Sequence, residues 1–182
     1  MKSTLGSKAA TPSGRSTQRH QQPARRRDSA APAPRDPHSG KRLLLVDDDF
    51  AVRNSLNDLL ASEGFCVIPA ENGQQALEWV GQVPVDLVLL DLNMPVKNGW
   101  DTFEQLTREH PLLPIIIVTA RPNQLFTALN AGVEALVEKP MDIPTLLRTI
   151  QKLLLETAEQ RLTRLAGKEA EFHYQPATAR HP

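Results

Sequence analysis

The sequence lacks several features that would place it in a particular class of protein. It contains a single cysteine, Cys66, which excludes an internal disulfide and a cysteine-based zinc site. No apolar run is long enough to cross a bilayer, and no basic start followed by an apolar stretch indicates a secretory signal. We therefore predict a protein of the reducing cytoplasm that makes no membrane contact, with Cys66 as a small buried apolar residue.

Neither sign of charge is in excess over the whole chain, because the net charge is zero. The charged residues are nevertheless distributed unevenly. Residues 1–40 hold eight Lys and Arg against two Asp, so this segment carries +6 and the remainder −6. Leu5 is the only large aliphatic residue besides Met1 before Leu43. Such a segment cannot bury enough apolar surface to offset its ordering entropy. We therefore predict that this segment is a disordered basic arm. We favour a solvated tether over a segment that binds nucleic acid.

Beyond residue 41, short apolar runs alternate with segments of helical periodicity. The predicted strands are residues 42–46, 65–70, 85–90, 114–118 and 134–137. Predicted helices follow each of them. The fourth helix is predicted to begin at Pro122, and the last to run from Pro144 to about Leu165. This alternation predicts an α/β fold with a doubly wound, five-stranded parallel sheet covered on both faces.

Polar side chains follow four of these strands at the point where each strand ends. Asp47 and Asp48 follow the first strand, Asp91 the third, Thr119 the fourth, and Lys139 comes just after the fifth. In a doubly wound sheet these positions meet at one edge. Clustered carboxylates repel each other unless a cation joins them, and a hard, oxygen-ligated ion such as Mg²⁺ suits them. The pattern therefore predicts a magnesium site.

Each of these residues also has a purely structural explanation. Asp48 or Asp49 could cap the following helix, and Asp91 could form a turn. Thr119 could be an ordinary hydroxyl at a strand end, and Lys139 a solvated charge. All four explanations would have to hold together, and the joint pattern favours a functional site.

Four motifs carry a resemblance to a known family. They are Leu45-Val46-Asp47-Asp48-Asp49, Leu90-Asp91-Leu92-Asn93-Met94-Pro95 with Gly99, Val118-Thr119-Ala120, and Glu138-Lys139-Pro140. In this order and near these spacings, they resemble the receiver domain of two-component response regulators over residues 41–155. The resemblance is to the single-domain, chemotaxis-regulator type. It implies a flavodoxin-like strand order of 2-1-3-4-5 and a cis Lys139-Pro140 bond.

The resemblance also implies a role for each site residue. Asp91 would be the phosphoacceptor, and Mg²⁺ would be held by Asp47, Asp48, Asp91 and the backbone carbonyl of Asn93. Lys139 would pair with a phosphoryl oxygen, and Thr119 would hydrogen-bond the phosphoryl group. The donor would be a sensor histidine kinase or a phosphotransfer protein.

What the protein does with the phosphoryl group is predicted as signalling and not as an enzyme activity. We expect a stand-alone regulator that acts on an unknown output protein through protein–protein contact. One alternative is a receiver-like interaction scaffold that phosphorylation does not control. An Asp-nucleophile phosphatase is a third candidate, but it would need an acid two residues after the nucleophile, where Asn93 stands.

One residue departs from the family pattern, and the last helix is predicted to run past the usual end of a receiver. Leu136 stands three residues before Lys139, where receivers usually have an aromatic residue, so the usual conformational readout is in question. Residues 156–182 are predicted as a helical extension and a tail. The stripe of Ala158, Leu162 and Leu165 could cap the domain, form a dimer or partner seam, or fray in solvent. Phe172 and Tyr174 are candidate docking side chains.

Overall fold

A computed structural model of the protein describes residues 40–95, 98–166 and 172–178. The predicted basic arm therefore lies outside the described residues, except for Gly40. Strands and helices alternate in the described part: β1 (Arg42–Val46), α1 (Phe50–Ser62), β2 (Cys66–Ala70), α2 (Gly73–Gln82), β3 (Leu87–Asp91), α3 (Gly99–Glu109), β4 (Ile115–Thr119), α4 (Leu125–Ala131), β5 (Ala135–Glu138), α5 (Ile143–Leu155), α6 (Ala158–Leu165) and β6 (His173–Gln175).

The strands form one sheet in the order β2-β1-β3-β4-β5-β6, and every neighbouring pair is parallel. The doubly wound fold and the predicted order 2-1-3-4-5 are confirmed. The prediction of five strands is incomplete, because residues predicted as a tail form β6 beside β5. An uncovered β5 would present a row of unpaired backbone groups, and β6 pairs with them.

The alternation of side chains along each strand divides the core into two layers. Leu87 and Leu89 of β3 face α1 and α5, and Val88 and Leu90 face α2, α3 and α4. Because helices cover both faces, β3 and β4 are buried along their whole length, as expected for central parallel strands. Among the described helices, none has the length and apolar character needed to cross a membrane.

Side-chain caps begin four of the helices just beyond the carboxyl ends of the strands. Asp49 caps α1, Asn72 caps α2, Asn98 caps α3 and Asp142 caps α5, each by accepting a backbone N–H. The capped helix N-termini therefore lie at the same edge of the sheet as the carboxyl ends of the strands.

The predicted long C-terminal helix is wrong in one respect: α5 ends at Leu155, and a separate helix, α6, begins at Ala158. Thr157 donates its N–H to Gln160 Oε1 at 2.8 Å, and its hydroxyl accepts from Gln160 N at 3.2 Å. This reciprocal capping box starts a new helix. Arg161 holds α6 to the domain through the carbonyls of Leu112 and Leu153.

Two further expectations are corrected by the structure. The fourth helix begins at Leu125 and not at Pro122, because Asn123 adopts a left-handed conformation with φ of 61°, which interrupts a helix. Cys66 is exposed and not buried, because it starts the edge strand β2 while the neighbouring Phe65 is buried in the core. Leu162 is exposed, and the predicted dimer or partner seam stays a prediction.

Candidate functional site

The fold brings the predicted site residues to one edge of the sheet. Asp47 follows β1 and is buried, Asp91 ends β3 and is buried, and Thr119 ends β4 with no exposed surface. Asp48 is exposed beside them, and Lys139 directly follows β5. Because all these strands run in the same direction, their carboxyl ends meet where the winding of the sheet reverses.

Three carboxylates form a compact cluster at this edge. One oxygen from each of Asp47, Asp48 and Asp91 lies within 4.8 Å of the others. An all-carboxylate set with one exposed member suits Mg²⁺, which keeps several water ligands and takes few protein oxygens. The donor set therefore fits the predicted ion. The role predicted for the Asn93 carbonyl as a further ligand stays a prediction.

The structure shows which of the consecutive acids after β1 caps the following helix. Asp49 caps α1, with its carboxylate accepting from Ala51 N at 2.8 Å and Val52 N at 3.1 Å. These bonds lower the pKa of Asp49. The N–H of Asp49 donates to Asp47 Oδ1 at 3.0 Å. Asp49 therefore takes the structural role, while Asp47 and Asp48 belong to the cluster.

Lys139 joins two of the three carboxylates. Its Nζ lies 2.7 Å from Asp47 Oδ2 and 3.3 Å from Asp91 Oδ2. Burial alone would lower the pKa of this amine, but the hydrogen bond to Asp47 and the charges of Asp91 and Asp47 outweigh it and raise the pKa. The amine is therefore held as a cation beside Asp91, where negative charge would arrive with a phosphoryl group.

Asp91 is held in an environment that opposes its charge. Burial raises its pKa, and the repulsion from Asp47 acts in the same direction. Lys139 and the hydrogen bond from Asn93 N, at 3.2 Å, oppose this rise only in part. The negative charge of Asp91 is thus only partly balanced and lies beside two other acids. A bound cation would stabilise this charge.

Hydrogen bonds join Thr119 to the loops that carry the other site residues. The Thr119 hydroxyl accepts from Arg121 N at 3.0 Å, and the Thr119 carbonyl accepts from Lys139 N at 2.8 Å. Arg121 Nε donates to Asn93 Oδ1 at 3.3 Å. The loops after β3, β4 and β5 are therefore linked to each other. The Lys139-Pro140 bond is cis, as predicted.

Leu136, the departure from the family pattern, is completely buried in the core layer that also contains Ala128 and Val133. Its side chain therefore serves as packing between the sheet and α4. The expected change to the usual conformational readout stays a prediction.

Arg53 is a site neighbour that the sequence reasoning missed. Its guanidinium is buried, donates to the Asp47 carbonyl at 2.6 Å, and pairs with Glu71 Oε1 at 3.1 Å. It therefore fixes the backbone of the acid pair. The signal was present in the sequence, because Arg53 shares the buried face of α1 with Leu56 and Leu60, where a charge is unusual.

A doubly wound sheet with this acidic edge and bridging lysine defines a receiver-type domain. The chain belongs to the response regulator receiver family, because the family model described as "Response regulator receiver domain" matches residues 43–151. The transcriptional regulatory protein CpxR of Escherichia coli (strain K12) is 40% identical over 115 residues, which cover 62% of this chain and 49% of that protein. CpxR of Klebsiella pneumoniae is 39% identical over 130 residues, covering 69% of this chain and 55% of that protein.

Solved structures agree with the family assignment. The receiver domain protein of Methanospirillum hungatei JF-1 superposes with a TM-score of 0.60 at 29% identity, covering 69% of this chain and 99% of that chain. The response regulator TrrA of Thermotoga maritima, solved in complex with Mg(2+)-BeF, superposes with a TM-score of 0.59 at 30% identity and covers 62% of this chain and 98% of that chain. The chain spans about half the length of the curated relatives described above.

Proposed function

We propose that this protein is a response regulator controlled by phosphorylation of Asp91 in a Mg²⁺-dependent reaction. The donor would be a phosphohistidine on a sensor histidine kinase or a phosphotransfer protein. The observation that carries the proposal is the bridge from Lys139 Nζ to both Asp47 and Asp91 beside a three-carboxylate cluster. The Lys139 amine and two further carboxylates therefore lie next to Asp91, and this supports Asp91 as the proposed nucleophile.

In the proposed reaction, an oxygen of the Asp91 carboxylate attacks phosphorus. The new O–P bond forms as the P–N bond of the phosphohistidine breaks, and its electron pair stays on the imidazole nitrogen. Lys139 neutralises charge on the phosphoryl oxygens, and the Thr119 hydroxyl hydrogen-bonds one of them. A bound Mg²⁺ supplies electrostatic stabilisation of the transferring phosphoryl group. We propose signalling through protein contacts and no catalytic turnover of an external substrate, at a cytoplasmic location.

The test is incorporation of phosphate from a small donor into the full chain. With acetyl phosphate and Mg²⁺, intact-mass measurement is expected to show a gain of one phosphoryl group, and a metal chelator is expected to prevent it. No gain under conditions that label a known receiver would contradict the proposal and favour the interaction scaffold. Sustained hydrolysis of a phosphate ester would indicate the phosphatase.

The metal dependence gives a separate prediction for Asp48. Asp48→Asn removes one anionic ligand from the cluster, so the Mg²⁺ affinity is expected to fall at least about tenfold, or ~1.4 kcal/mol. Isothermal titration calorimetry measures this directly. Asp58→Asn, at an exposed acid of α1, is the matched control and should bind Mg²⁺ like the unsubstituted chain. Equal affinity for Asp48→Asn would remove Asp48 from the ligand set.

A further inference from the structure

Residues 172–178 form an extended segment, the β5 strap, which lies outside the stretch that the family model matches. Its central strand, β6, pairs in parallel with β5, with His173 opposite Ala135 and Gln175 opposite Val137. The strap then continues past the end of β5. Beyond β5, the strap lies along the loop that carries Lys139.

The hydrogen bonds of the strap from Gln175 onward are concentrated on this loop. Gln175 Nε2 donates to the carbonyl of Asp142 at 3.0 Å, and Ala177 N donates to Glu138 Oε2 at 3.3 Å. Thr178 donates twice to one acceptor, the Pro140 carbonyl, from its N–H at 2.8 Å and from its hydroxyl at 2.9 Å. The loop from Glu138 to Asp142 is therefore held along its outer side by the strap.

The inner side of the same loop faces the acidic site. Lys139 donates its backbone N–H to the Thr119 carbonyl, and its Nζ reaches Asp47 and Asp91. The peptide units around Lys139 and Pro140 are thus fixed between the site on one side and Thr178 on the other. A shift of the Pro140 carbonyl would move the backbone from which the Lys139 side chain extends.

We propose that Thr178 is a positioning residue for phosphoryl transfer, acting through Pro140 to hold Lys139 against Asp91. This inference rests on the proposed phosphorylation of Asp91. Effective charge stabilisation needs the donor to be in place before the reaction, and a small misplacement weakens it. The strap would therefore set the reactivity of Asp91 while leaving the carboxylate cluster unchanged.

One buried polar atom of the strap lacks a hydrogen-bond donor among the described residues, which weakens the contact of the strap with the domain. Gln175 is almost fully buried, yet no described group donates to its Oε1. A cavity of about 250 Å³ lies between the strap and α5, lined by Thr145, Thr149 and Phe172 among others. An unpaired buried acceptor weakens the contact that buries it. Release of the strap is then expected to slow phosphorylation.

The test measures the initial rate of phosphate incorporation from acetyl phosphate in full-length variants at saturating Mg²⁺. Thr178→Val keeps the shape and the backbone bond but loses the hydroxyl, and should slow the reaction about three- to tenfold, as expected for one lost hydrogen bond. Thr178→Ser should restore the rate. Mg²⁺ affinity should stay unchanged, because the metal ligands are not altered.

Two further variants separate positioning from a general structural effect. Thr163→Val removes a comparable hydroxyl on α6, where it donates to the Glu159 carbonyl, and should react like the unsubstituted chain. In a Lys139→Met background, Thr178→Val should have no additional effect, because it acts through the missing amine. A chain ending at Gln175 keeps β6, loses both Thr178 bonds, and should react more slowly than Thr178→Val.

The outcomes distinguish this inference from the proposed function. Failure of the unsubstituted chain to take up phosphate would overturn both. Phosphate uptake at equal rates in the unsubstituted chain, in Thr178→Val and in the chain ending at Gln175 would overturn the positioning role alone. Additive slowing in the Lys139→Met background would also overturn it.

Discussion

Asp91→Asn is expected to abolish phosphate incorporation, lowering the rate by several orders of magnitude. The amide keeps the shape of the side chain but supplies no anionic oxygen to attack phosphorus, and Asp91 is the acid that contacts both Lys139 Nζ and Asn93 N. Intact-mass measurement after incubation with acetyl phosphate and Mg²⁺ tests this. Asp101→Asn, at an exposed acid on α3, is the control and should incorporate phosphate normally.

The same substitution has a predicted effect on stability that depends on pH. Burial and the charge of Asp47 raise the pKa of Asp91 in the folded state, so ionising it opposes folding. In metal-free protein above that pKa, Asp91→Asn should therefore raise the thermal midpoint. The gain should shrink as pH falls through the folded pKa and vanish below the unfolded value. A lower midpoint at neutral pH would show that the carboxylate stabilises the fold.

Gly99→Ala is expected to cause the largest structural damage near the site. A Cβ added at Gly99 would lie 2.4 Å from the Asp91 carbonyl oxygen and 2.5 Å from Leu92 Cα. Both atoms belong to the backbone that carries Asp91, so no side-chain rotation relieves the clash. Overpacking of this kind costs about 1–3 kcal/mol. Urea unfolding should show a lower midpoint, and phosphate incorporation should slow because Asp91 shifts.

Gly81→Ala is the matched control for that prediction. Gly81 lies in α2, and an added Cβ there meets nothing within 4 Å. Alanine favours a helix over glycine by roughly 0.5–1 kcal/mol, so this variant should be slightly more stable and fully reactive. If Gly99→Ala were as stable as Gly81→Ala, the close approach of α3 to the Asp91 backbone would be contradicted.

The sheet and the acidic edge could be predicted because local sequence determines them. The central strands are apolar along their whole length, and in a parallel sheet the residues that follow such strands must meet at one edge. The order of the chain alone therefore predicted that four site residues lie together: Asp47, Asp91, Thr119 and Lys139. The side-chain distances, and the bridge from Lys139 to both acids, required the structure.

Other features depend on signals that are short or non-local. The Thr157–Gln160 capping box indicates the break between α5 and α6, but the apolar stripe that continues across the break favours a single helix. The late start of α4 depends on the left-handed Asn123, which residue type favours only weakly. β6 has three residues and no periodicity of its own, so only its pairing with β5 defines it. Exposure of Cys66 follows from its position on an edge strand.

The central claim is that the acidic edge directs a phosphoryl group to Asp91. Its most direct test is to react the phosphorylated chain with labelled borohydride, which reduces an acyl phosphate to an alcohol and releases phosphate, and then to map the peptides by mass spectrometry. We predict a single labelled homoserine at position 91. Label at another acid, or a phosphate gain with no reducible acyl phosphate, would contradict the assignment.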